Sequence, residues 1–189
     1  MNSKRKTIIG IILFAIFLTI AYFAYSTLSD SFKPSNEIQP PENTASQDEK
    51  KYTAPDFTVF DAQGNEVNLS DFSGKPIVLN FWASWCPPCK GEMPHFNEVY
   101  AEVKDDVVFV MVDLVDGQRE TQAKGQKYVD NKGFAFPIYF DNEQQAANSY
   151  SISSIPTTFF IDSNGNIITA YQGAISKETL LSGIDLIKK

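Results

Sequence analysis

The feature that most restricts this chain is the pentapeptide Trp85-Cys86-Pro87-Pro88-Cys89, which contains both cysteines of the 189 residues. The apolar run Ile77-Val78-Leu79-Asn80-Phe81-Trp82 precedes it and a helix-like segment over 90–104 follows, so a buried strand hands two thiols to a helix N-terminus. A helix start carries unsatisfied N–H groups and partial positive charge, which stabilise a thiolate and lower its pKa. Cys86 is therefore the candidate nucleophile, and Cys89 the thiol that can reach its sulfur. Pro87 and Pro88 suit the first helical turn, where a missing N–H costs nothing and φ is already helical. With no third cysteine there is no structural disulfide framework, and no cysteine near the N-terminal apolar segment can carry a lipid.

At this length and 43% hydrophobic content the chain can build one ordinary domain plus accessories. Its net charge is −7; without Lys4, Arg5 and Lys6 the remainder holds 13 basic against 23 acidic residues, a net −10. An acidic body argues against a nucleic-acid partner. Residues 7–28 carry no charge and follow the basic triplet, long enough for the ~20 residues that span a bilayer. A cleaved signal peptide has an apolar region of only ~7 to 15 residues, and Ala24-Tyr25-Ser26 makes a poor cleavage site. The expected organisation is a cytoplasmic basic tail (1–6), an uncleaved transmembrane signal anchor (7–28), a flexible linker (29–53) and an extracytoplasmic domain (54–189) held at the cell membrane.

Within that domain, a hairpin is expected from 57–60 and 66–69 around the turn 61–65. Strands are expected over 76–83, 107–112, 136–140, 157–162 and 167–171. Helices are expected over 87–103, 118–131 and 142–150, with a last one capped by Ser176. Alternating strands and helices with a late hairpin at Ser163-Asn164-Gly165-Asn166 make an α/β sheet covered on both faces.

These residues resemble the thioredoxin superfamily. The resemblance is carried by Phe81-Trp82-Ala83-Ser84-Trp85-Cys86-Pro87-Pro88-Cys89-Lys90, by Pro94 five residues beyond the second cysteine, and by Ile155-Pro156-Thr157 opening a later strand. It covers about 54–189. The anchor, the hairpin ahead of the first core strand and the extra strand and helix between Val112 and Pro156 narrow it to the TlpA and ResA type of membrane-anchored thiol-disulfide oxidoreductase. That likeness implies a thioredoxin-like fold, a central mixed sheet flanked by helices, with an N-terminal β-hairpin and a strand-helix insertion. It implies no cofactor, and two cysteines with one histidine do not supply a tetrahedral metal site. It further implies reduction of disulfides in exported proteins, apocytochrome c among them. Because an outside domain is beyond cytosolic thioredoxin, a membrane thiol-disulfide transporter is the implied electron donor.

The resemblance also assigns residues. Pro156 is implied to be a cis-proline facing the sulfurs, with the Ile155 backbone available to pair with a bound peptide. Glu92, three residues after Cys89 on the same helical face, matches a glutamate that ResA-like members carry and that influences the cysteine pKa values. From the residues alone Glu92 reads as a solvated helix glutamate in preference to a proton donor or acceptor with a pKa raised by partial burial. Asn80 stands where ordinary cytosolic thioredoxin has a buried aspartate, and an amide cannot exchange a proton at neutral pH. Trp85 is expected partly exposed as a substrate contact, Trp82 in the core, and His95 at the surface. Three rival readings are a disulfide-forming oxidase of the same fold, a thiol peroxidase, and a tethered binding module with a merely structural cysteine pair. The peroxidase pattern fails in that Leu79 and Ala83 occupy its Pro and Thr positions before Cys86.

Overall fold

The computed structural model describes residues 52–188 together with Leu18 and Thr19. Apart from these two, the expected anchor at 7–28 lies outside the described residues, as does the expected linker except for Tyr52 and Thr53. Among the described residues no helix is long and apolar enough to cross a membrane.

Among the described residues eight strands form one mixed sheet: β1 (Tyr52–Thr53), β2 (Thr58–Phe60), β3 (Glu66–Asn68), β4 (Ile77–Trp82), β5 (Val108–Asp113), β6 (Ile138–Phe140), β7 (Thr157–Ile161) and β8 (Asn166–Gln172). Their spatial order is β1-β8-β7-β4-β5-β6-β2-β3. Strand β4 lies near the middle, parallel to β5 and antiparallel to β7. The β2–β3 hairpin reaches the sheet through the single pairing Phe60–Phe140, so it extends one edge, as the turn chemistry at 61–65 suggests. The opposite edge begins two residues ahead of the expected domain start, because Tyr52 and Thr53 pair with Ile167 and Asn166 of β8.

Four helices cover the sheet: α1 (Pro87–Val103), α2 (Gln122–Lys132), α3 (Gln145–Ser149) and α4 (Lys177–Ile187). Every side chain of β4 is buried. Because side chains alternate along a strand, Val78 and Trp82 face a core shared with Met93, Phe96 and Val99 of α1 and Leu180 and Ile184 of α4. Ile77, Leu79 and Phe81 face a second core containing Phe57, Ala146 and Tyr150. That is why β4 reads as an unbroken apolar run rather than an alternating one.

Two helices are shorter than their apolar patterns suggest, each for a capping reason. The expected helix over 118–131 starts at Gln122, since the Thr121 hydroxyl accepts from Lys124 N at 3.3 Å and fixes Thr121 as the cap. It stops at Gly133, whose φ of +66° is the left-handed conformation of a helix terminator. The segment expected over 142–150 is helical only over Gln145–Ser149, with the Asp141 carboxylate accepting from the N–H groups of Ala146 and Ala147.

Helix α4 lies close to β7 at Gly183, where an added Cβ would come 2.3 Å from the Phe160 ring. Overpacking of a fixed core costs about 1–3 kcal/mol. Gly183→Ala is therefore expected to lower unfolding stability by about that amount in a urea titration, despite alanine's better helix propensity.

Candidate active site

The two cysteines are joined as a disulfide with Cα atoms 5.3 Å apart, at the junction between β4 and α1. Cys86 is the N-cap of α1, and its Sγ accepts a hydrogen bond from Cys89 N at 3.2 Å. The residues between explain that bond. Pro87 and Pro88 occupy N1 and N2 and have no N–H, so the first donor of the helix belongs to Cys89. The next, Lys90 N, goes to the Cys86 carbonyl.

Opposite the pair, the Ile155–Pro156 bond is cis, and the Ile155 carbonyl oxygen lies 3.7 Å from Cys86 Sγ. Cys89 is wholly buried and Cys86 only 2% exposed, and an opening beside Cys86 leads to its sulfur. That opening is a groove of about 420 Å³ lined by Trp85, Cys86, Leu114, Arg119, Ile152 and Ile155, among others. Trp85 is 38% exposed at its edge, with the Arg119 guanidinium 4.1 Å above its ring. Arg119 is steadied by Asp116 at 3.3 Å. Trp82 is fully buried and His95 half-buried on α1.

Glu92 is 2% exposed, so the solvated-helix reading gives way. Its Oε1 accepts from Asn80 Nδ2 at 2.9 Å and its Oε2 from Ile175 N at 3.0 Å. Burial raises its pKa from 4.5 to about 7, against the two hydrogen bonds that favour the charged form. Asn80 also donates to Thr158 Oγ1 at 2.9 Å, and its own Oδ1 has no partner. The position that holds an acid in ordinary thioredoxin thus holds an amide that orients an acid from the neighbouring helix.

Sequence reasoning missed Glu120. Inside the expected helix it would have been one more solvated carboxylate. Instead it precedes the Thr121 cap, is fully buried, and accepts Ser84 N at 2.5 Å and Thr121 N at 3.2 Å. It therefore braces the turn that carries Trp85 and Cys86. Reading Thr121 as an N-cap was the one available signal.

The arrangement suits exchange of a disulfide: a sulfur at a helix N-terminus, a second sulfur behind it, a buried acid with a pKa near neutrality, and an apolar groove leading to the first sulfur.

The linkage at Glu92 has a definite sign. A carboxyl whose pKa is higher folded than unfolded contributes stability that is present below 4.5 and lost as pH rises through 7. Glu92→Gln removes that loss. The stability difference between the variant and the wild type is expected to move in the variant's favour by about 2–4 kcal/mol between pH 4.5 and pH 8, measured by urea unfolding across that range.

Comparison with known proteins agrees with this geometry. The sequence pattern of the AhpC/TSA family matches residues 51–170. The thiol-disulfide oxidoreductase ResA of Geobacillus kaustophilus is 39% identical over 136 residues, covering 72% of this chain and 76% of that protein. ResA of Bacillus anthracis is 36% identical over 127 residues, covering 67% and 72%. Among solved structures, a Chlorobium tepidum protein assigned as thiol:disulfide interchange protein DsbE superposes with a TM-score of 0.66 at 31% identity, covering 75% of this chain and 99% of that one. StoA from Bacillus subtilis superposes at 0.60 with 30% identity, covering 69% and 96%. The chain belongs to the thioredoxin-like AhpC/TSA family and is, within it, a thiol-disulfide oxidoreductase related to ResA, with Cys86 and Cys89 as its Cys-x-x-Cys pair.

Proposed function

We propose that this protein is an extracytoplasmic disulfide reductase, tethered to the cell membrane by residues 7–28, that reduces disulfides in exported proteins such as apocytochrome c. Cys86, as thiolate, attacks a substrate disulfide and forms a mixed disulfide; the displaced substrate thiolate takes a proton from solvent. Cys89 then gives its proton to the Glu92 carboxylate and attacks Cys86 sulfur. The substrate's second sulfur leaves as a thiolate and is protonated, and two electrons have passed to the substrate. The protein is left as the Cys86–Cys89 disulfide, the state seen in the structure. A membrane dithiol carrier returns it to the dithiol.

Asn80 suits both protonation states of Glu92. Its Nδ2 donates to the carboxylate, and a flip of its amide would offer the unpartnered Oδ1 to the protonated acid. Trp85 and Ile155 would grip an extended substrate segment, and Pro156 sets the Ile155 carbonyl against the sulfur.

The observation that carries the direction is electrostatic. An oxidase gains its high potential by stabilising the reduced pair's thiolate. Here Pro87 and Pro88 remove two donors from the helix end, leaving Cys86 Sγ the N–H of Cys89, while the carboxyls of Glu92 and Glu120 are buried around the pair. Each feature disfavours a thiolate and hence lowers the potential.

The reduction potential of the purified protein against dithiothreitol tests this. The expected value is near or below the roughly −270 mV of thioredoxin; a value toward the roughly −120 mV of a strong oxidant would overturn the reductase reading in favour of a disulfide-forming enzyme. In addition, Cys89→Ser is expected to accumulate a mixed disulfide with a disulfide-bonded substrate on a non-reducing gel, and Cys86→Ser to form none.

A further inference from the structure

One buried carboxyl has no role in the exchange described above. Asp113 ends β5, is fully buried, and neither of its side-chain oxygens has a hydrogen-bond partner. Its register partner across the parallel ladder is Trp82, whose indole Nε1–H is also buried and unpartnered. Paired positions of adjacent strands point to the same face, so a donor lacking an acceptor and acceptors lacking a donor adjoin one another behind the active-site turn. The space is kept by Gly125 of α2, where a Cβ would lie 1.8 Å from Asp113 Oδ2.

Buried polar groups without partners are rare and costly, about 1–3 kcal/mol each, which makes this cluster an anomaly that stability does not explain. Its electrostatic neighbours are acidic. Burial first, then the charges of Glu120 and Asp116, push the Asp113 pKa up to about 9. From β6, Phe140 packs at the same spot, and the following Asp141 turns its carboxylate to the N–H groups of Ala146 and Ala147. From α2, Tyr128 packs on Trp82, and Lys124 directs its ammonium to the carbonyls of Gln118 and Arg119. Glu120 accepts from Ser84 and Thr121; Asp113 accepts from neither. With no donor to favour its charged form, Asp113 is held neutral by its burial.

We infer that Asp113 is a proton-holding positioning residue for the Cys86–Cys89 couple: while neutral it keeps a second negative charge away from the Glu120–Ser84 brace, and its ionisation works against the Cys86 thiolate. Glu120 carries the connection, since the N–H it holds belongs to the residue two before Cys86. The step is a proton equilibrium with solvent; no electrons move beyond those of the disulfide couple. The inference holds whichever way the couple runs in the cell.

The test compares the full-length wild type with Asp113→Asn, measuring the equilibrium with dithiothreitol from pH 6 to pH 10. A neutral Asp113 and an asparagine carry the same charge, so the two curves are expected to run together up to pH 8. Above pH 9 the wild type is expected to become roughly threefold harder to reduce than the variant, the effect of one added charge at a partly screened distance. The same comparison in a Glu92→Gln background is expected to keep the divergence, which separates it from Glu92. In the oxidised wild type, the Trp82 indole N–H resonance is expected to titrate with the same alkaline midpoint, a measurement that decides the matter even if the variant folds poorly. Curves that coincide throughout, or differ by a constant offset at every pH, would overturn the inference, as would a Trp82 resonance that does not titrate.

Discussion

Strand β4 exposes none of its six side chains, and the chemistry at its end follows from that constraint. A strand covered on both faces has no solvent in which to satisfy a polar side chain. Asn80 must find its partners inside, and it finds Thr158 and Glu92. Drawing Glu92 inward takes a carboxylate out of water, an effective penalty of several kcal/mol for the charged form. Two hydrogen bonds to that charge return about 1.5–3 kcal/mol each. Burial outweighs the two bonds, and a pKa raised to about 7 is the outcome. The same burial that holds the sheet together thus sets a carboxyl of near-neutral pKa one helical turn beyond Cys89.

The position of α1 rests on packing and not on its ion pairs. Lys177 reaches Glu98 at 3.2 Å and Glu102 at 3.6 Å between α4 and α1, but both acids are more than half exposed, and such pairs contribute about 0–1 kcal/mol. Met93, Phe96 and Val99 are fully buried on the inner face of α1, each contributing about 1.5–3 kcal/mol by removal from water. The close approach of α4 at Gly183 supports that inner layer from β7. Salt would therefore disturb the surface pairs with little movement of the cysteines.

Much of the fold was legible because its signals are local and agree with one another. The unbroken apolar run of β4, the Pro-Pro start of α1, the Ser176 cap and the glycine turns each fix an element within a few residues. The core of the site was legible for the same reason, since Cys86, Cys89 and the Ile155-Pro156 step lie in distinctive local sequence. What could not be read were the burial states of acids. Glu92, Asp113 and Glu120 look in sequence like other carboxylates of a chain with 23 acidic residues. Their environments are made by contacts of long separation: Glu92 with Ile175, Glu120 with Ser84, Asp113 with Trp82. No periodicity encodes those meetings. The short strand β1 was missed similarly, as two residues of a polar stretch that pair only because β8 offers an edge.

The Pro-Pro dipeptide joins these threads. At most helix starts the N-cap group can draw on the N–H of N2 as well as that of N3. With proline at N1 and N2, Cys86 Sγ draws only on Cys89 N, and that donor belongs to the residue whose sulfur must approach Cys86 to complete the exchange. The donor to the cap and the second sulfur of the pair are therefore carried by one residue, Cys89. A substitution at Pro88 by a residue with an N–H would add a donor at N2 and, with it, stabilisation of the thiolate. On the electrostatic argument developed here that shift favours the reduced pair and makes the couple a better oxidant, moving it against the pull of the buried acids. The dipeptide and the acids act in the same sense, one by withholding positive partial charge from sulfur and the other by supplying negative charge near it. Both features bear on how firmly the pair holds its electrons, and both act in the sense that the proposed reductase role requires.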